Sequence, residues 1–296
     1  MIQNPYFYNL NIDGEHYLIP FGPEFEERRH FITLNGTSLK IWNALEKRPT
    51  QSELEEMMIS EFEATEEGDK ITVRNDVKKT INILKIAYAV LESEEDVQPA
   101  KQSEYAEYKE REWNWEEIIN LPNNSFLNLR EEYGEYSLQR GFLFIHSASV
   151  LYKEKLWLFS AKSGTGKSTH ANMWQQAGTG KVINGDLNLV GIKNGEAAVK
   201  GTPWCGTSGI YDLNEYPLGG IAFLVRDESD FVEELPFPEK VVAILRESIT
   251  PMWDKEKLEK EIEIALQIAK QSVIFKLHCT AKLSAYEKAI EYIDCH

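Results

Sequence analysis

Cysteine is scarce in this chain of 296 residues: Cys205, Cys279 and Cys295 are the three, odd in number and far apart. With no Cys-x-x-Cys pair, neither a disulfide framework nor a zinc site is expected. Long apolar runs are lacking too. No stretch approaches the ~18 uninterrupted apolar residues of a membrane-spanning helix. The first residues, Met1-Ile2-Gln3-Asn4-Pro5-Tyr6, have no basic segment followed by an apolar one, so no secretory signal is read there. The expectation is a cytoplasmic protein with free thiols and no membrane partner. Positive charge is short as well: 32 Lys and Arg stand against 48 Asp and Glu, for a net charge of −16. Such a chain repels nucleic acid rather than collecting on it. Repeats and low-complexity tracts are missing.

What is there suffices for a real core, since 42% of residues are hydrophobic and 11% aromatic. The length suits one large or two ordinary domains. Residues 1–30 read as short strands, with Asp13-Gly14 as a hairpin turn. Phe31–Ser38 reads as a strand running into a capped helix that carries Leu39, Ile41, Trp42 and Leu45 on one side. Arg48-Pro49-Thr50 breaks it, and Thr50 or Ser52 can cap a second helix bearing Leu54, Met57, Met58, Ile59 and Phe62. Gly68-Asp69 breaks the pattern again. A third helix from about Val73 to Leu91 places Val77, Ile81, Leu84 and Tyr88 at helical spacing. The expected division is a first domain over 1–95, a charged linker over 96–112 and a second domain over 113–296. Tyr105, Tyr108, Trp113 and Trp115 suggest that the end of that linker region docks on something.

The second domain reads as α/β with strands outnumbering helices, so an antiparallel or mixed sheet is expected. Strand candidates are Phe126–Leu129, Phe142–Ile145, Leu156–Phe159, Lys181–Asn184, Leu189–Ile192, Gly220–Val225 and Val273–Leu277. Helix candidates are 168–177, 238–249, 255–270 and 283–293. Between Leu156–Phe159 and the first of these helices lies Ser163-Gly164-Thr165-Gly166-Lys167-Ser168-Thr169. Strand, glycine-rich turn, lysine, hydroxyl pair and helix is the context of a phosphate-binding loop. Inward-facing backbone N–H groups and the helix N-terminus would cradle phosphates, Lys167 would reach the β- and γ-phosphates, and Ser168 would sit on Mg²⁺. The first glycine of the usual pattern is replaced by Ala161. ATP and Mg²⁺ are therefore the expected ligands.

Three further segments accompany the loop. His146-Ser147-Ala148-Ser149 ends an apolar run upstream, Asn184-Gly185-Asp186 ends one downstream, and Gly201-Thr202-Pro203-Trp204-Cys205-Gly206 follows. A carboxylate at a strand end near such a loop is where a Mg²⁺ ligand or a base for an incoming hydroxyl is expected, which singles out Asp186. His146 is either a polar clamp at the transferred phosphoryl group or a histidine hydrogen-bonded in place at a strand end. Gly201–Gly206 is either a substrate-facing loop or a tight corner. His170 reads as exposed or packed, and Cys205 has no activating base.

Two resemblances follow. Leu34-Asn35-Gly36-Thr37 with Ile41-Trp42, Pro49-Thr50-x-x-x-Leu54 and the last long helix, over about residues 10–92, resemble the PqqD-like family. That resemblance implies a small winged-helix-like domain that recognises precursor peptides. The second domain, over about residues 140–290, resembles the HPr kinase/phosphorylase family, whose loop is shared with phosphoenolpyruvate carboxykinases. Members carry His-Gly, then Ser-Gly-x-Gly-Lys-Ser, then Asp-Asp. Here these are His146-Ser147, the loop at Ser163–Thr169, and Gly185-Asp186, with His146 and Lys167 at the family separation. One of the two family carboxylates is thus gone, and the later family signature has no convincing copy, so HPr itself is not the expected substrate. The resemblance implies an ATP-dependent kinase with Lys167, Asp186 and His146 in catalysis, Ser163–Thr169 on the nucleotide, and Ser168 with Asp186 on Mg²⁺. Its substrate would be a Ser or Thr hydroxyl of a peptide or small protein, in ribosomally made peptide modification. Oligomers are an expectation from the family, whose members form rings. The competing readings are a non-catalytic nucleotide sensor and a carboxykinase-like phosphotransferase on a small acid. The latter would need an arginine set that Arg130, Arg140 and Arg226 are too scattered in sequence to suggest.

Overall fold

The computed structural model describes residues 1–22, 30–98, 113–250 and 254–296. The chain divides into two compact units, Met1–Glu104 with Met252–Lys255, and Tyr105–Pro251 with Glu256–His296. Tyr105, Tyr108 and most of the charged stretch at 96–112 lie outside the described residues. Among the described residues no helix is long and apolar enough to cross a membrane.

In the first unit β1 (Ile2–Gln3) pairs with β5 (Val90–Leu91). The hairpin of β2 (Phe7–Ile12) and β3 (Glu15–Pro20) turns at Asp13-Gly14, whose φ angles of 52° and 88° suit that dipeptide. The strand β4 (Ile32–Leu34) adds to β3 and is the last of a three-stranded sheet ordered β2-β3-β4. Helix α1 (Gly36–Ala44) starts where Asn35 Oδ1 accepts the Ser38 N–H at 2.8 Å. Helix α2 (Gln51–Glu61) starts with a capping box in which Thr50 and Glu53 satisfy each other's backbone N–H groups. Helix α3 (Glu67–Ile86) begins earlier than its apolar period indicated. Gly68-Asp69, read above as a break, sits in its first turn, where an acidic residue suits the positive end of the helix dipole. Tyr88 falls beyond the helix, exposed and with φ 60°. Ile41, Leu54, Val77, Ile81 and Leu84 form the core of this unit.

The second unit opens with α4 (Trp115–Ile118) and α5 (Asn123–Leu138). The strand expected at Phe126–Leu129 is part of α5. Phe126, Leu129 and Tyr133 recur at helical spacing and pack against Phe144 and Trp204, so a four-residue apolar run was helix, not strand. Then come β6 (Phe142–Tyr152), β7 (Lys155–Ser160), α6 (Lys167–Gln176), β8 (Lys181–Asn184), β9 (Leu187–Lys193) and β10 (Glu196–Gly201). The chain continues through β11 (Glu215–Arg226), β12 (Phe231–Glu234), α7 (Phe237–Glu247), α8 (Lys255–Gln271), β13 (Val273–Cys279) and α9 (Leu283–Asp294).

These strands build an eight-stranded sheet in the order β10-β9-β6-β7-β11-β13-β12, with β8 on β6. The strand β11 is parallel to β7 and to β13, whereas the remaining pairings are antiparallel. The sheet is therefore mixed, and the unit is a mixed α/β fold. Along one edge of β6, Phe142–His146 pair with β9 and Ser149–Leu151 with β8, while Ser147–Tyr152 pair with β7 along the other edge. The strand β11 pairs with β10 up to Pro217 and with β7 from Leu218. The pairings β6-β7-β11-β10-β9 thus return to β6. Helices α6 and α9 bury Ala171, Trp174, Tyr286 and Ile293 with Phe159, Phe275 and Leu277 of the sheet.

Candidate functional site

The loop after β7 has the geometry its sequence implies. Gly164 and Gly166 take φ 77° and 119°, conformations that L side chains rarely adopt. Thr165 N–H donates to the Lys162 carbonyl at 3.2 Å, closing the turn, and α6 begins at Lys167. Ala161 is buried in the core and is not among the positive-φ residues. That position asks for a small apolar group rather than backbone freedom, so glycine is not needed there. Ser163, Gly164, Ser168 and Thr169 are exposed, while Thr165 and Gly166 are half-buried. Arg226, at the end of β11, donates to the carbonyls of Gly164 and Thr165, the latter at 3.3 Å, and so straps the loop to the sheet.

Lys167 is buried and its ammonium donates to the Ala161 carbonyl at 3.0 Å. Burial pulls its pKa down, and the carboxylates of Asp186 and Glu247 oppose that pull. Two acids therefore bracket this lysine, of which the sequence indicated one.

Asp186 lies between β8 and β9. Asn184 fixes the turn: its Oδ1 accepts the N–H groups of Asp186 and Leu187 at 2.8 and 3.1 Å, and its Nδ2 donates to the Thr202 carbonyl at 2.7 Å. The Asp186 carbonyl accepts Ser147 N–H at 2.8 Å. Its carboxylate meets His146 Nε2 at 3.1 Å. That hydrogen bond outweighs burial and, with His146, Lys167 and Arg130 nearby, holds the carboxyl below its ordinary pKa. His146 is not at a strand end; it sits inside β6, opposite Leu187 at the start of β9.

The segment Gly201–Gly206 backs this arrangement. Leu187 N–H donates to the Trp204 carbonyl at 3.2 Å, and Thr202 Oγ1 donates to the Leu187 carbonyl at 2.8 Å. A Cβ on Gly206 would meet Asp186 Cβ at 3.0 Å and Cγ at 3.1 Å, so the glycine permits close support of the carboxylate. Gly185 is explained by the same loop. A Cβ there would lie 2.2 Å from Ser208 Oγ and 2.6 Å from Ser208 Cβ, so a second aspartate at 185 does not fit this loop.

The arginines excluded on sequence grounds are less scattered in space. Arg130 on α5 acts electrostatically on Asp186, and Arg226 straps the loop, while Arg140 lies 3.6 Å from the centre of the Tyr136 ring. His170 is a core residue: it accepts from Trp174 Nε1 at 3.3 Å, and burial lowers its pKa to about 4. Burial raises the Cys205 thiol, which agrees with its having no nucleophilic role.

No family model matches this sequence, and no curated protein matches it. Among solved structures, the Hpr(Ser) kinase/phosphatase from Coxiella burnetii is similar to 51% of this chain and 98% of its own. The TM-score is 0.28 and the identity 9%. A likeness this slight leaves function to the geometry of the site.

That geometry offers hard oxygen donors, Asp186 and the exposed Ser168 hydroxyl. Among the described residues no group of three or more His, Cys, Asp or Glu is placed to hold a metal ion.

Proposed function

We propose that the chain is an ATP-dependent kinase that moves the γ-phosphoryl group to a Ser or Thr hydroxyl of a peptide or small protein. The observation that carries this reading is Lys167, the first residue of α6 directly after the glycine-rich loop, its buried ammonium under the electrostatic influence of the Asp186 and Glu247 carboxylates. The loop N–H groups and the N-terminus of α6 hold phosphate oxygens, and Lys167 turns from Ala161 towards them. Ser168 and Asp186 would hold Mg²⁺, which supplies neutralisation of the developing phosphate charge. His146 fixes the Asp186 carboxylate by its hydrogen bond, and the Trp204 loop supports it from behind. Phosphoryl transfer needs mainly positioning and charge stabilisation, and these groups provide both. Arg130, Lys162 and Lys167 make this corner locally positive in an acidic protein, which favours a polyanionic substrate.

The peptide would be held by the first unit. A cleft of about 350 Å³ lies between β4 and α3, lined among others by Ile32, Leu34, Asp76, Lys79 and Ile83. Because β4 is the last strand of its sheet, an extended peptide can add to it and place alternate side chains in the cleft. Tethering raises the effective concentration at a weakly binding active site.

The test is to incubate the full chain with labelled ATP, Mg²⁺ and a panel of Ser/Thr peptides, beside Asp186→Ala. Phosphopeptide formed by the wild type and lost in the variant supports the kinase. Tight ATP binding with no transfer to any peptide refutes it and favours a nucleotide sensor.

A further inference from the structure

The carboxylate missing at position 185 has a counterpart that arrives from elsewhere in the chain. Glu247 is the last residue of α7, and Ser248 leaves the helix in an extended conformation, φ −68° and ψ 136°. The chain then runs antiparallel beside β6. Ser248 forms a bridge with Ile145, Ile249 N–H donates to the Phe144 carbonyl at 2.9 Å, and Phe144 N–H donates to Thr250 Oγ1 at 2.8 Å. One step along that register sets Glu247 opposite His146. The half-buried Glu247 carboxyl acts electrostatically on His146 of β6, Lys167 of α6 and Lys162 of the loop, and it faces the Ser160 hydroxyl at the end of β7. Two stretches far upstream in sequence, β6 at His146 and Ser160–Lys167, thus converge on it. It is not needed to anchor the Ser160 hydroxyl, which already donates to the His146 carbonyl at 2.8 Å.

We infer that Glu247 is the second carboxylate of the site and takes the proton of the attacking hydroxyl, a division of labour that rests on the kinase reading above. Asp186 is committed to His146 and turns its charge to the metal side. Glu247 has no such lock and stands beside the lysine that reaches the γ-phosphate. In the step, the hydroxyl oxygen forms a bond to Pγ while its proton passes to a Glu247 carboxylate oxygen. The bond from Pγ to the β,γ-bridging oxygen breaks, and ADP leaves with that electron pair. Burial raises the Glu247 pKa above the ordinary glutamate value even with the cations nearby, which brings a carboxylate closer to the working range of a proton acceptor. Two acids in differently perturbing environments are the usual sign of divided roles.

The experiment uses the full chain with MgATP, following both peptide phosphorylation and hydrolysis with water as acceptor, for wild type, Glu247→Gln and Glu247→Asp. Glu247→Gln is expected to slow both by about 10²-fold while MgADP affinity changes by less than about threefold. The acid limb of the wild-type pH–rate profile, where activity falls as the acceptor protonates, is expected to vanish in Glu247→Gln and persist in Glu247→Asp. Rates for Glu247→Gln within about threefold of wild type overturn the inference, as does a rate loss matched by lost MgADP binding. A wild type that hydrolyses ATP but phosphorylates no peptide refutes the kinase reading, and hydrolysis then decides Glu247 by itself. A wild type that binds MgADP yet turns over nothing overturns both.

Discussion

Two corners of the second unit meet at the turn that carries Asp186, and they are built from opposite materials. On one side lie Lys162, Lys167, His146, Asp186 and Glu247, all but Lys167 at least partly reached by solvent and acting electrostatically on one another. On the other lie Trp113, Trp115, Phe126, Tyr133, Phe144 and Trp204, ring against ring at centroid separations of 4.6 to 6.2 Å. The dry, aromatic side braces the backbone of the wet, charged one: the Trp204 carbonyl holds Leu187 N–H, and Trp204 Nε1 is itself held by the Phe126 carbonyl at 3.0 Å.

The comparison breaks most severely at its charged end. Lys167→Ala is expected to reduce phosphoryl transfer on the order of 10³-fold, because the charge proposed to reach the phosphates is lost, with only the smaller cost to stability of the lost bond to the Ala161 carbonyl. Transfer within tenfold of wild type would deny the lysine its role. At the aromatic end, Trp204→Ala should cost about 3–5 kcal/mol in denaturant unfolding and lower transfer as well, since the support of Asp186 goes with it. A large stability loss without any loss of transfer by the folded fraction would show that the corners are independent.

His170 sharpens the contrast by burying the same residue type as His146 elsewhere, on α6 against Phe159 and Trp174. Its folded pKa of about 4 lies below the unfolded value of 6.5, so the unfolded chain binds the proton first. Stability is full above about pH 6.5 and falls as the pH drops towards 4, by roughly 3 kcal/mol, one pKa unit being worth about 1.4 kcal/mol. Melting curves at pH 7 and pH 4.5 for wild type and His170→Leu should show this slope reduced in the variant. Smaller still is Gly185→Asp. The added side chain must displace Ser208, so about tenfold slower transfer is expected rather than a gain from the second acid. Ser208→Gly in the same chain should recover part of it. Smallest is Ala161→Gly, which restores the usual loop pattern yet should leave transfer unchanged and lose about 1 kcal/mol of stability with the buried methyl and the freer unfolded chain.

The dry side was hard to read in the sequence and the wet side partly so. Ser163–Thr169 was legible because backbone freedom, charge and helix start are all coded within seven neighbouring residues. Asp186 and His146 were legible through their spacing from Lys167. Phe126–Leu129 misled because a four-residue apolar run fits either period, and only its packing on Trp204 decides it. Glu247 gave no local signal. It ends an amphipathic helix whose charge reads as solvent-facing, and what places it is the bridge of the next residue, Ser248, to Ile145, about a hundred residues upstream. A residue placed by a long-range register leaves no trace in its own neighbourhood.

The order of these segments has a consequence for the life of the chain. His146 lies in β6, and Asp186, Lys167 and Glu247 come to it from three later segments. On the kinase reading, a nascent or clipped chain that stops before residue 247 would carry the loop without the proposed proton acceptor.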